Sequence, residues 1–117
     1  MGRDDLAGRT EQFASDVRAW LRAAPRTEAN REDLKQLVRA SGSVAANHIE
    51  ADNALGDADR LMKFRICRKV AREAGLWLRL MHAGDDEVVR AEQDRLNDES
   101  QQLMRIYSSI IRRLGGD

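Results

Sequence analysis

Apolar residues recur every three or four positions along nearly the whole chain, and no stretch alternates apolar and polar with the period of a strand. Leu6, Phe13, Val17, Trp20, Leu21 and Ala24 share one helical face, while Asp4 and Asp5 stand where a helix start favours acids. Pro25, the only proline, stops that helix, which the pattern predicts over residues 5–24. Thr27 or Asn30 can cap the next one. Leu34, Leu37, Val38, Ser41, Val44, Ala45, His48 and Leu55 then fall on a single arc, predicting a helix over 28–55. Gly42 interrupts it; an interior glycine costs about 1 kcal/mol against alanine, so the position marks a kink or a close crossing.

Gly56-Asp57 reads as a stop followed by a cap, opening a third helix over 57–82. Its core face carries Phe64, Cys67, Val70, Ala71, Ala74, Trp77, Leu78 and Met81. His82-Ala83-Gly84 ends it, and Asp85 or Asp86 caps a fourth helix over 86–114. There Val89, Leu96, Leu103 and Ile110 recur every seven residues, joined by Val88, Ile106, Tyr107 and Leu114. Short connections between four amphipathic helices predict an all-α, antiparallel up-down-up-down four-helix bundle in one domain. Helices of about 25 residues are roughly 37 Å long, which makes a narrow rod with a thin core. Met62, Leu76 and Leu80 lie on a flank of the third helix away from its core face. They read either as a subunit contact or as a strip that a neighbouring helix covers.

Composition narrows the class without naming a reaction. With 117 residues, 34% charged, 4% aromatic and 42% apolar, the chain is helical and globular rather than disordered. Twenty basic and twenty acidic residues cancel, so any attraction for nucleic acid must come from segregated charge. A single cysteine, Cys67, fits a reducing compartment, and no apolar run approaches membrane-spanning length. The expectation is a cytoplasmic protein with no membrane contact.

Segregation is what the sequence shows. Residues 60–80 hold seven basic side chains and one acid, whereas residues 85–105 hold seven acids and three basic ones. Arg65, Arg68, Arg72 and Arg79 fall within roughly 60° of arc on the third helix, with Lys69 beside them. Guanidinium groups bind phosphate oxygens bidentately and release counterions, so this stripe is a candidate surface for RNA or DNA. The plainer reading is a solvated or internally neutralised face, and no aromatic residues interleave for base stacking.

Other constellations argue for structure rather than chemistry. Asn47, His48, Glu50 and Asp52 cluster near the end of the second helix. A di-iron bundle needs Glu-x-x-His on two helices, but Ala45 precedes His48 by three and Arg79 precedes His82 by three. Asn47 and Glu50 are therefore expected to tie the second helix to the third through hydrogen bonds, with Glu73 taking part. Glu92 and Glu99 are expected at the edge of the apolar arc, paired with arginine or lysine. Cys67 sits on the packed face as a small hydrophobe, and Gly115-Gly116 is no phosphate loop. No catalytic residue, metal site, cofactor site or small-molecule substrate is expected.

One run carries a resemblance. Ser41-Gly42-Ser43-Val44-Ala45-Ala46-Asn47-His48-Ile49-Glu50-Ala51 resembles the S-G-[ST]-x-x-A-N-x-x-E-A signature of four-helix-bundle proteins related to those encoded in intervening sequences of 23S rRNA genes. Pro25 to Glu28, Gln36 to Arg39, and Ala71 to Leu78 look like that family's flanking segments. Val70 stands where the family usually has glutamate and Ala74 where it has threonine, so any polar network through those two positions is thinner here; His48 also replaces a more usual aromatic. The resemblance implies a cytosolic bundle assembled as a homopentameric ring, with no established catalytic activity. A related accessory protein of diversity-generating retroelements binds nucleic acid and a reverse transcriptase. The resulting expectation is a non-catalytic oligomer that binds RNA or DNA through the third helix; the alternative is an oligomeric scaffold for protein partners.

Overall fold

The computed structural model describes residues 3–117, with side chains from Asp5 onward. Four helices follow one another: α1 (Arg3–Ala23), α2 (Glu28–Asp52), α3 (Asp57–Leu80) and α4 (Glu87–Arg113). No strand occurs among the described residues. Sequential helices pack side by side, α1 closes onto α4, and α1 lies diagonally from α3 as α2 does from α4. Arg9 meets Glu99 while Trp20 meets Val89, and Arg72 meets Met104 while Arg79 meets Asn97, so α4 runs opposite to both α1 and α3. It measures 47 × 26 × 22 Å. Its accessible surface of 6,852 Å² exceeds the roughly 6,400 Å² typical of a monomer of this size, as a thin rod should.

Phe13, Val17, Leu37, Val44, Leu78, Leu96, Leu103, Tyr107 and Ile111 form the centre, each essentially solvent-free. A fully buried aliphatic or aromatic side chain contributes about 1.5–3 kcal/mol. The seven-residue pattern in α4 drifts, because an α-helix turns about 20° short of a strict heptad on each repeat. By the last repeat the buried residue is Ile111, while Ile110 is only half-buried.

Caps and boundaries follow local chemistry. The Thr27 side chain accepts from Asn30 N–H at 3.1 Å, and Asp86 accepts from Val88 and Val89 N–H. The expected cap at Asp4 lies outside the described side chains, and α1 already includes Asp4 and Asp5. Helix α2 stops earlier than the pattern predicts. Asn53 caps it, with its side-chain amide donating to Ile49 O at 2.8 Å, and Leu55 is left fully exposed beyond the end. Gly56 rather than Asp57 occupies the N-cap of α3, and Asp57 is the first helical residue. Helix α3 closes at Leu80, and Gln93 of α4 donates to the carbonyls of Leu78 and Met81. Val88, placed on the apolar arc by periodicity, is 78% exposed because it sits in the first turn of α4, outside the packed seam.

Asn30 joins the two loops at one end of the bundle. Its amide donates to Pro25 O and His82 O, and its carbonyl accepts from His82 N–H, so a nearly solvent-free side chain has its polar atoms satisfied. Gly42 makes room for a side chain rather than for a close helix crossing. A Cβ there would come within 3.2 Å of the Arg18 guanidinium, which lies over α2 and reaches Val38 O and Ser41 Oγ. Gly75 is the close crossing, between α3 and α4, where a Cβ would lie 2.6 Å from the buried Ser100 Oγ.

Candidate functional site

The polar run of α2 divides among three destinations. Asn47 donates back to Ser43 O in its own helix at 2.9 Å, so it does not tie α2 to α3. A carboxamide four residues on competes well for that carbonyl. Glu50 reaches across to Lys63 of α3 at 3.2 Å. Glu73 makes no hydrogen bond or ion pair among the described residues, and Val70 and Ala74 beside it offer no polar group. The buried connection belongs instead to His48. Its Nδ1 is hydrogen-bonded to Tyr107 Oη of α4 at 2.8 Å, and its Nε2 lies 3.5 Å from Asp52 Oδ2. Phe64 packs edge-on against the imidazole, so α2, α3 and α4 meet at one ring cluster.

That cluster is shielded rather than reactive. Burial pushes the Tyr107 phenol well above its ordinary range, and burial likewise pushes the Cys67 thiol up to about 12. Cys67 Sγ lies against Val44 O, so it is packed as a small hydrophobe and stays protonated. Among the described residues, no group of three or more histidine, cysteine, aspartate or glutamate side chains is placed to hold a metal ion. An open groove of about 500 Å³ runs between α1 and α2 over Gly42 and Ala46, and it is too exposed to enclose a small substrate. Glu99 and Glu92 have arginine partners. Arg9 donates to both carboxylate oxygens of Glu99 and to Gln102 Oε1, each at 2.7 Å, while Arg95 bridges Glu92 and Asp16. These pairs sew α1 to α4.

The α3 cations form a face shared with α4. Arg65 and Arg68 converge on the carboxylate of Asp117, at 3.3 and 2.9 Å. Arg72 lies over the Met104 thioether, and Arg79 donates to Asn97 Oδ1 at 2.8 Å. Lys69 is exposed and has no acidic partner among the described residues. Helix α4 adds cations that periodicity on α3 alone does not reveal. Arg105 and Arg112 follow Met104 and Ile111 in sequence, are exposed, and have no ion-pair partner among the described residues. Their signal was present as two basic residues one heptad apart on α4, and the Arg72–Met104 contact sets the α3 stripe against this stretch of α4. Met62, Leu76 and Leu80 share the outward arc of α3 with Lys69, which is one heptad from both Met62 and Leu76, and are 54%, 40% and 57% exposed.

Comparison with known proteins bears on the fold. A crystal structure of a protein with unknown function from the S23 ribosomal protein family of Bacteroides thetaiotaomicron superposes with a TM-score of 0.70. The match covers 96% of this chain and 99% of that one at 24% sequence identity. At that identity the likeness establishes a shared four-helix architecture. No family model and no curated protein matches the sequence. No helix among the described residues is long and apolar enough to cross a membrane.

Proposed function

We propose that this bundle is a non-catalytic protein that binds RNA or DNA through the basic face of α3 and the adjoining part of α4. The observation that carries the reading is one-sided charge. Arg65, Arg68, Lys69 and Arg72 lie on the outward side of α3, Arg105 and Arg112 belong to the stretch of α4 that Arg72 meets at Met104, and Lys69, Arg72, Arg105 and Arg112 have no ion-pair partner among the described residues. A rigid row of guanidinium groups meets a phosphate backbone without reference to base sequence, so the binding is governed by charge and salt. The ribosomal name of the structural neighbour's family is compatible with a nucleic-acid partner, as analogy only, and that neighbour's own function is unknown.

The exposed Met62, Leu76 and Leu80 favour a second element of the same reading, self-association into a ring, for which the family resemblance supplies the pentameric number. A ring closed through this strip covers the arc around Lys69 and repeats the cations to one side of it, Arg68, Arg72, Arg105 and Arg112, which multiplies weak contacts into avidity. The scaffold alternative keeps the ring and dispenses with nucleic acid.

Chemical-shift mapping with a short single-stranded RNA and a DNA duplex tests the proposal. Perturbed amides clustered at 65–72 and 105–112 support it. Perturbations spread evenly over the surface, or none, remove it and leave the scaffold. Sedimentation of Leu76→Glu/Leu80→Glu tests the assembly: a ring that persists unchanged excludes this strip as the contact.

A further inference from the structure

The segment after α4 folds back onto the proposed phosphate-binding face. Gly115 adopts φ +85°, and the Gly115 and Gly116 N–H groups close the helix onto Arg112 O and Ile111 O. This reverse turn delivers Asp117 to α3. Gly116 permits it: a Cβ there would lie 2.5 Å from Ile111 Cγ2, 3.0 Å from Ile111 O and 3.1 Å from Leu61 Cδ1. Ile111 is solvent-free and cannot retreat. The two Asp117 carboxylate oxygens then meet different arginines, Oδ1 facing Arg65 and Oδ2 facing Arg68.

We infer that Arg65 and Arg68 form a subsite for a single phosphate group, and that the Asp117 carboxylate is its internal occupant, which a polyanion must displace. A carboxylate whose two oxygens span two guanidiniums occupies the position of two oxygens of a phosphodiester. Arg68 holds the Asp117 carboxyl below the usual carboxylate range, as a filled oxyanion site should. Because Asp117 is itself largely exposed, the contact is weak enough to give way. The segment thus sets a threshold: isolated anions compete poorly, while a multivalent phosphate chain already anchored at Lys69, Arg72, Arg105 and Arg112 displaces the carboxylate. The inference rests on the reading of this face as a nucleic-acid surface.

Fluorescence anisotropy with a mixed-sequence 20-nucleotide single-stranded RNA tests both levels. Gly116→Ala evicts the segment without changing charge, and Asp117→Asn removes the carboxylate. Both should bind about two- to fivefold more tightly than the unaltered protein, the scale of an exposed ion pair. Asp59→Asn, an equal charge change at an exposed acid elsewhere on α3, should shift affinity less. In an Arg65→Gln/Arg68→Gln background the gain from Gly116→Ala should vanish. Wild-type binding with no gain from Gly116→Ala, or a gain that survives loss of both arginines, overturns the inference while leaving the nucleic-acid reading intact. No binding by any variant overturns both.

Discussion

His48 Nδ1 and Tyr107 Oη lie 2.8 Å apart in the solvent-free centre of the bundle, joining α2 to α4 across 59 residues of sequence. The hydrogen bond is local in space and remote in the chain, and no solvent stands ready to replace either partner. Tyr107→Phe keeps the ring packing against Phe64 and deletes only the hydroxyl. It should destabilise the fold by about 1–3 kcal/mol, read as a lower urea midpoint with an unchanged slope. A midpoint equal to wild type would show that the hydroxyl contributes nothing net.

Cys67 and Tyr107 also set the alkaline limit of the fold. Both acids have folded-state values raised by burial, Cys67 to about 12, so in the native state they keep protons that the unfolded chain releases. Stability from these groups is full below the ordinary thiol and phenol values. It declines as pH rises above about 9, because the unfolded state then binds fewer protons. Urea midpoints measured from pH 7 to 11 should fall at the alkaline end. The native thiol should resist iodoacetamide at pH 8 on a timescale that tracks global unfolding; fast alkylation of folded protein would contradict the burial.

Two glycines separate packing from propensity. Gly8 on α1 is exposed, with open space where an added methyl group would stand, so Gly8→Ala should stabilise by up to about 1 kcal/mol. Gly75 faces Ser100, which is buried and already donates to Asn97 O, so Gly75→Ala should destabilise by about 1–3 kcal/mol despite better helix propensity. Thermal melts of the pair should move in opposite directions. A stabilised Gly75→Ala would mean that α3 and α4 separate easily at this crossing.

The four helices were legible because each buries one face at a 3.6-residue period and is closed by a capping residue or glycine. Misplaced positions cluster at ends: Leu55 and Val88 fit the arc, but the helix terminates or the partner is absent where they fall. Of the polar signature, Glu50 to Lys63 is a contact between opposite charges that a sequence can anticipate. Periodicity put His48 and Tyr107 on core faces, but their pairing, and the Asn30 clamp between two loops, depend on helix register and loop geometry. The α3 stripe could be read from spacing. Its extension by Arg105 and Arg112, and the capture of Arg65 and Arg68 by Asp117, required the packing of α4 and its reverse turn.

Binding of nucleic acid through phosphate contacts on this face has a signature in salt dependence. The most direct measurement is the slope of log affinity against log salt for a 20-nucleotide single-stranded RNA, for wild type and Lys69→Glu/Arg72→Glu. Neither of those side chains is in an ion pair among the described residues, and because Arg72 lies over Met104 the melting temperature of the variant is matched to wild type before slopes are compared. Wild type should show a steep negative slope, and the variant a slope shallower by about 0.7 for each phosphate it no longer neutralises on a single strand. Undetectable wild-type binding at low salt, or equal slopes for the two proteins, would contradict binding through this face.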